Sequence, residues 1–434
     1  MLKKKSFNII TFITAVMLVA AFTACGGGDE GTDTGDGTAV NPFKVYNVAT
    51  LKKVGTETAA GGWTLSAYYE QTANIDMTGE TWTPIGTWAN RFSGSYDGGG
   101  KTITGLTINA SSEDSQGLFG YTAAGVVLKN IGLAACNING RGNVGGIAGE
   151  NNGIVQDCYT TGDITGSFNC VGGVVGYNNT NGIVKNCYAT GNVAHDQFVG
   201  GVVGLNSGTV QYCYATGDVS GGRHIGGVVG SSDGQYGYGI VKNCYATGNV
   251  NGTNDEVGGV VGSNYHGGSV QNCYATGNIS GYNETGGVVG NNGGSVQNCY
   301  ATGDISGFQR QGGAAGVDNG GTIENCIALN KSVTSGAISA GRIVGQSNIY
   351  STLNNNYGRN NMIISSPSPH DGNDGADVTP ANAILQTWWT TMASWHASSP
   401  WNWTNTWNYP DGLGKLPTLK GMPGNPTQNP VIKN

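Results

Sequence analysis

Charge is scarce in this chain. Of its 434 residues, 20 are Lys or Arg and 27 are Asp or Glu, together 11%, under half the roughly 25% of an ordinary soluble domain. That poverty excludes a disordered polyelectrolyte. The formal net charge is −7, and no basic patch follows residue 5. Nothing is present to neutralise phosphates, so nucleic acid is excluded as a partner. Histidine is rarer still. His195, His224, His266, His370 and His396 are never followed by Glu and never spaced i, i+4. A zinc-peptidase HExxH helix is therefore absent. No P-loop and no Cys-x-x-Cys pair occurs, and no apolar pattern of period 3.6 runs through the body of the chain.

Long apolar runs are also missing, apart from one near the N-terminus. Ile9 to Phe22 follows Lys3, Lys4 and Lys5, but as a helix it would reach only about 21 Å, against a hydrocarbon core of roughly 30 Å. This is the layout of a targeting segment rather than a span. "FTAC" at Phe22–Cys25 resembles a bacterial lipobox, which implies cleavage after residue 24 and lipidation of Cys25. Residues 25–41 then read as the lipidated Cys and an acidic Gly/Thr/Asp tether. The expected location is the cell envelope, at the outer membrane or cell surface, with the membrane as a partner through the lipid.

Glycine is abundant, with 77 residues, and so is repetition. "NCYATGN" occurs at Asn186–Asn192, Asn243–Asn249 and Asn272–Asn278, with variants at Asp157–Asp163, Tyr212–Asp218 and Asn298–Asp304. A second block, "VGGVVG" or a close variant, places the first Gly of its pair at 145, 172, 200, 226, 258, 286 and 312. The period is about 28 residues, built of short β-type runs punctuated by Gly, Asn, Asp and Ser. One such unit cannot bury its apolar face alone, but a stack of them can. The expected fold is all-β: a parallel β-helix, right-handed, of about nine or more coils with N- and C-terminal caps. The cap and first coils fall in 42–115, the repeats in 116–365, and a loop with a Trp-rich cap in 366–434.

Stacking in register turns each repeated letter into a column. Cys136, Cys158, Cys187, Cys213, Cys244, Cys273, Cys299 and Cys326 recur once per coil, with Cys170 extra. Two residues before Cys stands Gln, Lys or Glu, which should face water, and strict alternation would put Cys on that same face. A corner at the intervening Asn would reset the phase and turn Cys and Ala inward as buried free thiols and methyls. Asn186, Asn243, Asn272, Asn298 and Asn325 would then bond coil to coil. Tyr159, Tyr188, Tyr214, Tyr245, Tyr274 and Tyr300 would face outward as a ladder of rings. That ladder either covers apolar surface or docks a protein or glycan. Near the C-terminus Trp395, Trp401, Trp403 and Trp407 form either the core of a cap or a carbohydrate platform, and Ala381 to Trp395 reads as the one substantial helix.

The GGVVG-turn-VxNCYATGxV repeat resembles the GLUG motif. Its flanks, "FSGSYDGGGKTITGLTI" and "WNYPDGLGKLPTL", are similar to those that accompany GLUG repeats, so the resemblance covers roughly residues 43 to 420. It implies a bacterial surface or adhesin-like protein. GLUG repeats also occur in IgA-cleaving zinc metallopeptidases, whose catalytic motif is missing here. Asp163, Asp218 and Asp304 alternate with Asn192, Asn249 and Asn278 at one coil position, the mark of a turn residue rather than an acid catalyst. Arg223, Asp255, Glu256, Glu284 and Arg310 read as solvated loop residues. The expectation is a non-enzymatic, membrane-anchored adhesin or interaction scaffold with no catalytic residue, metal or cofactor and an unknown protein or glycan ligand. The alternative is a carbohydrate-binding or polysaccharide-cleaving β-helix.

Overall fold

The computed structural model describes residues 35–434 except 234–238, 367–373, 392–399, 411–413, 425 and 434. Cys25 and most of the tether lie outside the described residues. The chain winds as a parallel β-solenoid of about 11 turns. One face carries 12 strands, from Phe43–Val45 to Thr352–Asn354, and a second carries 9, from Phe119–Tyr121 to Val344–Ser347. The third face is built from 24 strands, from two-residue pairs such as Tyr214–Ala215 to the ten residues Ser332–Gly341. A representative coil runs Val203–Asn206, Thr209–Gln211, Tyr214–Ala215 and Val219–Gly226. Its successor lies in register on every face, with Val203 opposite Val229, Thr209 opposite Ile240, Tyr214 opposite Tyr245 and Val219 opposite Val250.

Two left-handed corners set the phase of each coil. The first precedes Cys. Asn186, Tyr212, Asn243, Asn272, Asn298 and Asn325 all have φ between 53° and 55°, a region Asn enters most readily among residues bearing a side chain. The corner turns the sequence inward, so Cys187, Cys213, Cys244, Cys273, Cys299 and Cys326 are 0% exposed, and Cys158 is 1%. Each thiol donates to the carbonyl two residues back, as in Cys187 Sγ to Lys185 O at 3.1 Å. Cys136 departs from the expected column. It pairs in register with Gly162, and Tyr159 pairs with Gly132, which leaves Ile131 at the cysteine position of that coil. A second corner, two residues before each Gly-Gly pair, holds Cys170, Phe198, His224, Glu256, Glu284 and Arg310 at φ 53° to 64°. Asn143 takes it at φ 51° in an earlier coil, but from Cys170 to Arg310 no turn-forming letter marks it in the sequence.

The glycine pair and the alanine explain one another. A Cβ on Gly201 would meet Gly227 O at 2.2 Å and the Ala215 Cβ at 2.5 Å. A side chain there would force the coils apart, and a residue larger than Ala at 215 would do the same. Valines such as Val184, Val210, Val241 and Val270, all 0% exposed, fill the rest of the lumen.

Polar ladders tie coil to coil alongside a few ion pairs such as Lys129 with Asp97 at 3.0 Å. The Asn corner column bonds as expected, with Asn186 Nδ2 to Asp157 Oδ1 at 2.9 Å and Asn272 Nδ2 to Asn243 Oδ1 at 3.1 Å. A second ladder runs buried inside: Asn151, Asn178, Asn206, Ser232, Asn264, Asn292 and Asp318 are each 0% exposed. Asn151 donates to Asn178 and Asn178 to Asn206, both at 2.8 Å. The row two before Cys is half-buried rather than solvated. Gln271 donates to Gln297 and Gln297 to Glu324, which is buried.

The N-terminal end is closed by aromatic packing. Phe43, Trp63, Tyr69, Phe92, Tyr96 and Phe119 are all buried, and Phe43 stacks on Trp63 at 4.7 Å. At the C-terminal end the anticipated single helix is two short ones, Pro380–Ala383 and Gln386–Thr391. The chain then returns along the third face through a two-strand antiparallel pair, Trp407–Asn408 with Thr418–Leu419.

Candidate binding surfaces

The tyrosine ladder forms but is not open. Its rings stack with centroids 4.9 to 5.2 Å apart and planes within 8°. They point away from the lumen as expected, yet the expected outward exposure is wrong for four of the six. Tyr214 is 5% exposed, Tyr245 2%, Tyr274 1% and Tyr300 0%, while Tyr159 and Tyr188 are half-buried. The returning C-terminal segment seals them. Tyr300 OH donates to Pro417 O at 2.6 Å and Tyr274 OH to Gln428 Oε1 at 2.8 Å. Burial pushes the Tyr214 phenol up to about 12 and also raises those of Tyr274 and Tyr300 well above the ordinary value.

The tryptophans are the seal. Trp407 (0%) lies 5.9 Å from Tyr300 and 4.6 Å from Trp401, which is itself buried and donates its indole N–H to Asn325 O at 3.2 Å. Trp389, buried beside them, donates to Ala383 O at 2.6 Å. Trp401 and Trp407 are therefore cap core, not a platform. Trp403 is half-buried and stacks on Tyr409 at 4.9 Å. Trp395 lies outside the described residues.

The charges read as solvated loop residues are strand residues instead. Glu256 is 5% exposed in Asp255–Gly258, and its carboxylate accepts from Tyr265 OH and pairs with His224 Nδ1. Burial opposes its ionisation, but the bonds to His224 and Tyr265 outweigh that and hold the carboxyl below its usual range. One coil on, Glu284 pairs with Arg310 and accepts from Asn291 Nδ2 at 2.8 Å, and burial pushes it up. Two neighbouring carboxyls shifted in opposite directions have the polarity of an acid–base pair, but both have their oxygens occupied by protein partners. One nucleophile-elbow spelling also occurs, Gly-Ser-Ser-Asp-Gly from Gly230. Its central Ser232 is a rung of the buried ladder and 0% exposed, out of reach of any substrate. Among the described residues no cluster of His, Cys, Asp and Glu is arranged to hold a metal ion.

The Asp/Asn column is structural. Asn192 N donates to Asp163 Oδ1, Asp218 N to Asn192 Oδ1, Asn249 N to Asp218 Oδ1 and Asn278 N to Asn249 Oδ1, at 2.8 to 3.1 Å. Only an oxygen is required of each side chain, so Asn and Asp serve alike.

These features define a repeat protein of the parallel β-solenoid class. The repeat is the GLUG motif, whose family model matches residues 169–194, 199–220, 221–251, 253–280 and 281–306. Over 151 residues the chain is 34% identical to halomucin of Haloquadratum walsbyi, a match covering 33% of this chain and 2% of that protein. Over 163 residues it is 33% identical to a protein of Evansella cellulosilytica named as a Gly-rich membrane protein, covering 35% of this chain and 19% of the relative. The chain thus spans a small part of both. A crystal structure described as an immunoglobulin A1 protease from Bacteroides ovatus aligns over 89% of this chain and 94% of its own, at 19% identity and a TM-score of 0.40.

Proposed function

We propose that this protein is a non-enzymatic surface scaffold, held to the envelope through a lipid on Cys25, whose rigid coils present side chains in fixed rows to a ligand. One observation carries the reading: the recurrent chemical groups are spent on holding coils together. The thiols are dry, the Asp/Asn column bonds backbone, and the carboxyls of Glu256 and Glu284 are occupied by neighbours. What remains available is ordered surface, which multiplies weak contacts when several are engaged at once. The name of the Evansella relative supports a membrane setting.

The test is adhesion. Cells making the full chain should bind host or matrix surfaces better than cells lacking it, and Cys25→Ser should release the protein from the membrane fraction and abolish the difference. Equal adhesion with and without the chain refutes the scaffold, and sustained release of reducing ends from any polysaccharide refutes the non-enzymatic part.

A further inference from the structure

We infer that one edge of the solenoid is a binding track for a neutral polysaccharide, a reading that rests on the scaffold function above and names its ligand class. The edge is a corner column through Arg141, Phe168, Gly222, Asn254, Tyr282 and Phe308. Backbone bonds stack it: Phe168 N donates to Arg141 O at 2.8 Å, Asn254 N to Gly222 O at 3.0 Å, and Phe308 N to Tyr282 O at 2.8 Å. At its N-terminal end it borders a cleft of about 590 Å³, within the roughly 300–1,000 Å³ of small-molecule sites. Trp82 and Tyr121 wall that cleft, and Glu113, Asp114 and Arg141 supply polar atoms. Ser115, also in its lining, is 2% exposed with an unpartnered Oγ. Further along, a shallow groove of about 600 Å³ is lined by His195, Asp196, Ser220, Asn251 and Ser280. Partly exposed rings mark the track, with the Arg141 guanidinium 5.7 Å from the centre of the Phe168 ring. Phe168 is 61% exposed, and Tyr282 (49%) and Phe308 (38%) stack 5.0 Å apart. From Phe168 to Tyr282, four coil steps of about 4.8 Å give roughly 19 Å.

These features converge on one chemistry. An exposed flat ring wants an apolar partner with a polar rim, which the C–H face of a pyranose provides. Amide, hydroxyl and carboxylate side chains suit hydroxyls that both donate and accept. Charge selects against polyanions. Glu113, Asp114, Asp196 and Asp255 outnumber Arg141 and Arg223 along the edge, and Arg141 is already engaged by Asp114 at 2.8 Å. A uronate or sulfate polymer would meet net repulsion.

Affinity electrophoresis of the full chain in gels containing laminarin, mannan or xyloglucan, with polygalacturonate as the polyanion, tests this. Retardation by a neutral polymer and not by polygalacturonate is expected, with about fivefold weaker affinity in Phe168→Ala and in Tyr282→Ala. Both rings are exposed, so the variants should melt like the parent. Tyr350→Ala, 76% exposed and off the track, should bind normally. Retardation undiminished in the double variant, or equal in polygalacturonate, overturns the track. Loss of all retardation with cell adhesion intact overturns the sugar ligand and leaves the scaffold, whereas loss of adhesion itself defeats the scaffold.

Discussion

Replacing Asn178 by Ala tests whether the buried amide ladder holds the coils together. Asn178 Nδ2 donates to Gly182 O at 3.1 Å and Asn206 Oδ1 at 2.8 Å, and its Oδ1 accepts from Asn151 Nδ2 at 2.8 Å. Alanine removes these bonds, and a longer one to Thr209 O at 3.4 Å, inside a site that is 0% exposed. At about 1 kcal/mol for each of the shorter bonds, and with the Gly182 carbonyl still accepting from Thr209 N at 3.0 Å, the loss should be about 3–4 kcal/mol. Two neighbours soften it, since Asn151 Nδ2 keeps Gly153 O at 3.0 Å and Asn206 Oδ1 keeps Gly208 N at 3.2 Å. Asn178→Ser, which copies the natural rung Ser232, should cost roughly half as much. Asn181→Ala, three residues away and exposed, should stay within about 0.5 kcal/mol. Because each coil touches only its neighbours, the damage should be local. Hydrogen exchange by mass spectrometry should show protection lost around 178–182 and 206–209 and retained around Val296. If Asn178→Ala behaves like Asn181→Ala, or if protection falls evenly along the chain, the ladder does not carry the stacking and the reasoning fails.

Three further outcomes follow from the same geometry. Burial raises the Asp318 carboxyl above its usual range, and its Oδ2 has no hydrogen-bond partner. A raised folded value means full stability below the unfolded value, near 3.8, and a loss as pH climbs through the folded one. Asp318→Asn should therefore stabilise the protein at neutral pH, and the gain should vanish near pH 3 in urea melts read by circular dichroism. The Cys column should resist Ellman's reagent at pH 8 until the chain unfolds, because Cys158, Cys187, Cys213, Cys244, Cys273, Cys299 and Cys326 are all buried out of the reagent's reach; rapid labelling of the folded protein would contradict the dry column. Trp407→Ala should cost about 3–5 kcal/mol of local stability and open Tyr245, Tyr274 and Tyr300 to nitration by tetranitromethane, with Tyr159 unchanged.

The comparison of sequence and structure divides along a physical line. A repeat of fixed length that cannot bury its own apolar face must stack, and stacking in register makes every repeated letter a column. From that alone followed the parallel β-helix, the inward thiols, the Asn corner and the structural role of the Asp/Asn position. Each depends only on a coil and its immediate neighbours. The Cys136 assignment failed for the same reason: its spacing looked right, but register with Gly162 placed it elsewhere on the coil.

Tertiary structure decided what lies open to solvent. The six tyrosines spell the same motif, yet Tyr300 is sealed and Tyr159 is half-exposed, because Pro417 and Gln428 return from more than a hundred residues away. The second left-handed corner is filled by Cys170, Phe198, His224 and Glu256, which share no turn chemistry, so only the backbone reveals it. The edge track gathers Phe168, Asn251 and Tyr282 from different coils, and no window of sequence sets them side by side. A repeated word dictates which residues align; which aligned rows meet water depends on where the non-repeating ends of the chain come to rest.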